Sequence, residues 1–169
     1  MKKDFVDVHD AAVRLAAIVE VAPDCVVSIQ PNGAVIAREL AAKFERPIIE
    51  AFINKELIHT ADAVEISIEG VAADQHILVI DDAVETGQAA MAVALTLKTL
   101  GFENIHLAVP VCPRQSEYQL NQIYRTITAV VRPLAKRSLT WHYEQIPATS
   151  AEDAHAIVTA HNQGFGFLQ

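Results

Sequence analysis

A chain of 169 residues has room for one domain with a full core and little room for a second. It is 51% hydrophobic and 20% charged, an ordinary globular composition, and no apolar run reaches the roughly 20 residues that would cross a bilayer. A net charge of −8 without any Lys/Arg cluster argues against nucleic acid as a partner, so a polyanionic ligand would have to be held by backbone amides, a helix N-terminus or a metal ion.

The opening residues MKKDFVDVHD carry two lysines and then turn acidic with no apolar stretch behind them. A signal peptide is therefore not expected, and a cytoplasmic location is. Asp10 to Val21 places Val13, Ala16, Ala17 and Val21 on one face of a helix. Cys25 to Ile29 reads as a short buried strand, Asn32 to Phe44 as a helix that Arg46-Pro47 ends, and Ile48 to Ile53 as the next strand. Ala63 to Ile68 alternates as an edge strand would, closing at Glu69-Gly70. His76 to Ile80 is the apolar run of a central parallel strand, and Gln88 to Leu100 is a helix stopped by Gly101. The strand Ile105 to Val111, the helix Ser116 to Tyr124 and the strand Ile127 to Val131 follow. Trp141 and Tyr143 alternate on a short extended segment, and Ser150 caps a last helix from Ala151 to His161. Alternating strands and helices without a linker predict a single α/β domain over residues 1–169. Cys25 and Cys112 sit in apolar surroundings and read as buried, reduced thiols. The seven histidines are dispersed, with His155 and His161 on different faces of one helix, which gives no zinc pattern.

The most informative stretch is the strand Ile77 to Ile80, which runs into Asp81-Asp82, a turn containing Thr86-Gly87, and a helix. Ligands of open α/β sheets bind beyond the carboxyl ends of strands, where both carboxylates would lie. Gly87 permits a tight turn, and the amides from Thr86 to Ala90 then open a helix whose partial positive charge suits phosphate. Two adjacent carboxylates can accept hydrogen bonds from vicinal hydroxyls. Phosphate at one end and diol at the other describe a ribose 5-phosphate. Response-regulator receiver domains also pair acids at a strand end, but on their first strand, whereas nearly half of this chain precedes Asp81. A nucleotidase reading lacks its GxxxxGK[ST] loop, and a solvated strand end without function would not need the Thr-Gly turn.

ILVIDDAVETGQAA resembles the phosphoribosyl pyrophosphate (PRPP) motif of type I phosphoribosyltransferases, in which apolar residues precede two acids and a Thr-Gly loop follows. The likeness covers nearly the whole chain: VSIQPNGAVIAREL looks like the family's pyrophosphate loop and the helix after it, and Lys55 matches a lysine that often follows the next strand. DVHDAAVRLA, LAVPVCP and WHYEQIPATSAEDAHAIV are similar to a narrower group of small bacterial predicted phosphoribosyltransferases of unsettled substrate. The resemblance implies a mostly parallel central sheet flanked by helices, with a small C-terminal hood. It implies transfer of a phosphoribosyl group between PRPP and a purine or pyrimidine-like base, a homodimer, and Mg2+ carried on PRPP, which Asp81 and Asp82 would meet indirectly. Asp81 and Asp82 would bind the ribose hydroxyls, and Thr86, Gly87, Gln88, Ala89 and Ala90 the 5′-phosphate. Glu85 stands where purine enzymes place an acid that handles a ring proton. Gln30, Pro31, Asn32, Gly33 and Lys55 would face the pyrophosphate, and Tyr143 and Trp141 are candidates for the base side.

The chain departs from the family pattern at three points. Gln30-Pro31-Asn32-Gly33 replaces a Pro-Arg-Gly-Gly turn and removes a cation; Glu56 to Gly70 is short and acidic; and Ala89 replaces a common hydroxyl residue. These departures leave room for a second reading, a catalytically weak or inactive phosphoribosyl-binding regulatory module on the same fold.

Overall fold

The computed structural model describes residues 2–167. Its sheet has six strands, β1 (Cys25–Ile29), β2 (Ile48–Ile53), β3 (Val64–Ile66), β4 (Ile77–Ile80), β5 (Ile105–Val111) and β6 (Thr126–Val131), in the spatial order β3-β2-β1-β4-β5-β6. All neighbours are parallel except the edge strand β3, which pairs antiparallel with β2. Six α-helices connect or cover the strands: α1 (Val8–Ile18), α2 (Ala34–Phe44), α3 (Gln88–Thr99), α4 (Arg114–Leu120), α5 (Leu139–His142) and α6 (Ala151–Gly164).

Strand residues alternate between two cores, as the period of two requires. Val27, Ile77, Val79 and Leu107 pack with Val93 and Leu97 of α3, whereas Val26, Leu78, Ile80 and Ala108 pack with Leu15 of α1 and Ile36 and Leu40 of α2. Burial on both faces is what makes β4 an uninterrupted apolar run and leaves His106 as the one polar residue of β5. The third helix on the α2 face, α6, is fastened to β2 by Asn162, whose side chain accepts from the Ile48 amide and donates to the Ile48 carbonyl, each at 2.9 Å.

Several boundaries differ from the sequence reading. Helix α1 begins at Val8 rather than Asp10, because the Asp7 carboxylate caps it by accepting from the Asp10 amide at 2.9 Å. Helix α4 starts directly after Pro113 and ends at Leu120, and residues 122–124 close in turns on the Gln119 and Leu120 carbonyls. Trp141 lies in the short helix α5 rather than an extended segment, and only Tyr143 is bridge-paired, with Phe5. The Phe5 amide donates to His142 O and the Glu144 amide to Phe5 O, so the N-terminal residues and the tail form one small layer beside the sheet.

Cys25 and Cys112 are buried free thiols, both pushed up to about 12 chiefly by burial. Among the described residues no helix is long and apolar enough to cross a membrane.

Candidate active site

After β1 the chain passes to β2 on one side, and after β4 it passes to β5 on the other. The carboxyl ends of β1 and β4 are therefore adjacent strand ends whose connections diverge, the place where an open α/β sheet leaves a crevice. The two turns that close it are residues 30–33 and 81–87. Gly33 lies where they meet: a Cβ there would stand 2.7 Å from Ile29 O, 2.9 Å from Ile80 O and 3.0 Å from Ser28 Oγ. Only glycine lets the backbone cross both strand ends this closely. The resulting cleft has a volume of about 460 Å³, and Gln30, Asn32, Lys55, Asp81, Asp82 and Glu85 are its polar and charged lining upstream of the Thr86 loop.

Asp81 and Asp82 share one hydrogen bond, from the Asp82 amide to Asp81 Oδ1 at 2.8 Å. Asp82 is buried, and its Oδ2 has no partner among the described residues. Burial raises the pKa of both carboxyls above the usual carboxylate range; at Asp81 the neighbouring Asp82 adds to this and Lys55 opposes it, while Glu85 adds to the rise at Asp82. A buried acceptor without a donor beside a half-buried one is a pair waiting for hydroxyl groups.

The following loop turns sharply into a helix and leaves backbone amides unpaired. Gly87 has φ 86° and ψ 0°, a left-handed conformation, and directly precedes α3. The Met91 amide makes the first bond back to the loop, to Gly87 O at 2.9 Å, so the amides of Ala89 and Ala90 precede the helical ladder. Gln88 N reaches Thr86 Oγ1 only at 3.3 Å. The loop is held from behind by Ser116 Oγ, which donates to Glu85 O at 3.1 Å, and by the Tyr124 hydroxyl, which donates to Ala90 O at 2.7 Å. Neither brace was visible in the sequence, because α4 and the turn after it are remote from the motif in chain order.

The other expected residues divide into two groups. Pro31 and Asn32 line the cleft with Lys55, which opens a single 3₁₀ turn after β2. Gln30 also borders it, but both ends of its amide are engaged elsewhere, on Ser28 and Glu50. Trp141 does not reach the cleft: it is 53% exposed with the Arg137 guanidinium 4.7 Å from its ring centre. Tyr143 is fully buried against Phe5, and its hydroxyl donates to the Asp82 carbonyl at 2.9 Å. Its ring therefore supports the acidic pair from beneath, and Leu139 is the tail residue at the cleft. Tyr143→Phe should leave that carbonyl without its donor, lowering stability by about 1–3 kcal/mol and weakening ligand binding several-fold. Urea unfolding and calorimetry check both, and wild-type values in each would remove Tyr143 from the support of Asp82.

A second groove, about 640 Å³, lies on the far side of the Thr86–Gln88 loop against Met91 and Leu95 of α3. It is larger, but no carboxylate, lysine or arginine lines it, whereas the smaller cleft carries Lys55, Asp81, Asp82 and Glu85. The structure also joins two histidines that the sequence keeps apart. His76 Nδ1 and His106 Nε2 are 2.9 Å from each other at the amino ends of β4 and β5, opposite the cleft, and burial holds His106 down at about 4. No cluster of three or more metal-ligating side chains exists among the described residues.

The phosphoribosyl transferase domain family matches residues 7–138. No curated protein matches the sequence. Among solved structures the fold is similar to TT1426 from Thermus thermophilus, at 18% identity and a TM-score of 0.74 over 93% of this chain and 98% of that one. It is also similar to the purine phosphoribosyltransferase from Pyrococcus horikoshii, at 19% identity and a TM-score of 0.61 over 89% and 99%. A third is the orotate phosphoribosyltransferase from Aeropyrum pernix, at 16% identity and a TM-score of 0.59 over 72% and 69%.

Proposed function

The chain belongs to the phosphoribosyl transferase domain family, and we propose that it transfers a phosphoribosyl group between PRPP and a nitrogenous base, with pyrophosphate as the leaving group. The observation that carries this reading is the acidic pair at the diverging strand ends, with an unpartnered Asp82 oxygen, directly ahead of a left-handed Gly87 and a helix with free amides. In this reading Asp81 and Asp82 accept from the ribose hydroxyls. The amides around Thr86, Gly87, Gln88, Ala89 and Ala90 hold the 5′-phosphate, which fixes the sugar at both ends. Pro31, Asn32 and Lys55 face the pyrophosphate. Such a transfer asks for positioning and charge stabilisation rather than covalent help from the protein.

Two carboxylates without a third ligand do not form a cage, and that donor set suits a magnesium ion that arrives on the substrate's phosphates, facing Asp81 and Asp82. Among the described residues Lys55 is the only cation lining the cleft, and a magnesium ion held on the phosphates would supply the remaining charge neutralisation. The acceptor is a purine or pyrimidine-like base, and the proposal includes a cytoplasmic homodimer.

Pyrophosphate release from PRPP and magnesium with a panel of bases tests the activity. Glu85 is exposed at the cleft, and with a purine as the base it would exchange a proton with the ring. Glu85→Gln keeps the shape and removes the proton acceptor, so turnover should fall by about 10²–10⁴-fold with PRPP affinity unchanged. Equal turnover would leave Glu85 as a loop residue only. The tied-back Gln30 favours one other reading, a regulatory module that binds the phosphoribosyl group without turning it over. PRPP binding with no pyrophosphate release for any base would select it.

A further inference from the structure

The cation missing from the pyrophosphate side is replaced by a brace. Ser28 and Glu50 are register partners on β1 and β2, and Gln30, two residues beyond Ser28, falls on the same face by strand alternation. The Ser28 hydroxyl donates to Gln30 Oε1 at 2.7 Å, Gln30 Nε2 donates to Glu50 Oε2 at 3.0 Å, and the Gln30 amide donates to Ala51 O at 2.9 Å. Gln30 is thus held at three points. A carboxylate only accepts hydrogen bonds, so Glu50 determines which end of the Gln30 amide faces it.

Glu50 is itself held. Its side chain is 15% exposed, and Oε1 lies 2.8 Å from His155 Nδ1 on α6. Helix α6 is pinned to the same strand by Asn162 at Ile48. Two contacts on one strand fix the helix, and through it the carboxylate.

The geometry points to Glu50 as a positioning residue for the pyrophosphate side of the cleft, acting through Gln30 on Pro31 and Asn32. The inference rests on the phosphoribosyl-transfer reading above. Where no charged side chain lines the turn, what the turn offers a leaving group is the placement of its backbone and of the Asn32 amide. Placement errors of about 1 Å are costly in such sites.

The test compares two probes on the full chain by calorimetry: PRPP with magnesium, and ribose 5-phosphate, which uses the same diol and phosphate contacts and lacks the pyrophosphate. Glu50→Ala should weaken PRPP by about tenfold and leave ribose 5-phosphate within about twofold. Glu50→Gln should retain most PRPP affinity, since its amide oxygen can still accept from Gln30. Gln30→Ala should reproduce the PRPP-selective loss, and the double variant should lose no more than either single one, as two residues acting in series do. Should Glu50→Ala fail to fold, Gln30→Ala carries the same comparison. An equal loss for both probes, or no loss for either, overturns the role of Glu50 while leaving the function standing. A wild-type protein that binds neither probe overturns both.

Discussion

Asp81→Asn/Asp82→Asn should bind PRPP at least about 10²-fold more weakly than wild type and, at neutral pH, be the more stable protein. The loss follows from replacing acceptors of charge-assisted hydrogen bonds, worth about 1.5–3 kcal/mol each, at two ribose hydroxyls. The gain follows from the pKa directions. Both carboxyls are raised by burial and, at Asp81, by the other acid, so the folded state holds their protons more tightly than the unfolded chain does. A group raised in this way favours the fold at low pH, and that contribution is lost as the pH rises through its folded value. At pH 7 the wild type therefore carries an electrostatic cost that the amides lack. The difference in stability should shrink as the pH falls toward about 4, where the unfolded carboxyls also take up protons. Calorimetric titration and thermal unfolding from pH 4 to 8 measure both halves. Undiminished PRPP affinity would refute the ribose assignment, and a pH-independent difference in stability would refute the origin of the cost.

Gly33→Ala should be the most damaging single methyl group that can be added near the cleft. Its Cβ would stand inside contact distance of two backbone carbonyls, Ile29 O and Ile80 O, and neither can move without dragging a central strand. Overpacking against such a wall costs about 3 kcal/mol, and for a domain of this size each kcal/mol lowers Tm by about 2–4 °C. Gly87→Ala makes a control with the opposite cause. A Cβ there has ordinary room, 3.6 Å from the nearest Leu120 atom, but the backbone is at φ 86°. That strain costs about 1–2 kcal/mol and acts on the loop that would hold phosphate. Thermal unfolding should rank the variants wild type, Gly87→Ala, Gly33→Ala. A Gly33→Ala protein as stable as wild type would contradict the close crossing of the two strand ends.

The sequence makes the carboxyl end of β4 legible to the residue, because burial on both faces leaves an apolar run that stops at an acid, while the start read at His76 falls one residue early. It also makes Gly87 legible, since a turn into a helix leaves few other uses for a glycine there. The start of α1 could have been read from Asp7 and Asp10, three residues apart in a capping pattern. What was hidden has a common cause. Gln30 and Glu50 meet through strand register, Ser116 and Glu85 through the packing of α4, and Tyr143 and Asp82 across 61 residues of chain. Each pairing depends on how finished elements are laid side by side, which no local pattern encodes. The aromatic alternation at Trp141 and Tyr143 suggested a surface for a base, but burial separates the two rings: one meets solvent and Arg137, the other the underside of Asp82.

The clasp between the tail and the opening residues sets an order of events. Tyr143 reaches Asp82 from a segment that is itself zipped to Phe5, and the His142–Asp4 contact spans 138 residues of chain. A ribosome delivers the acidic pair and its loop long before it delivers that tail, and closing so long a loop is entropically dear until the sheet exists to receive it. The sheet is therefore expected to assemble before the hood docks, with the Tyr143 support of Asp82 among the last contacts to form. In the finished protein the same layer is the expected unit of partial opening, so amide exchange at Phe5 and Tyr143 should rise together when the support of Asp82 is loosened.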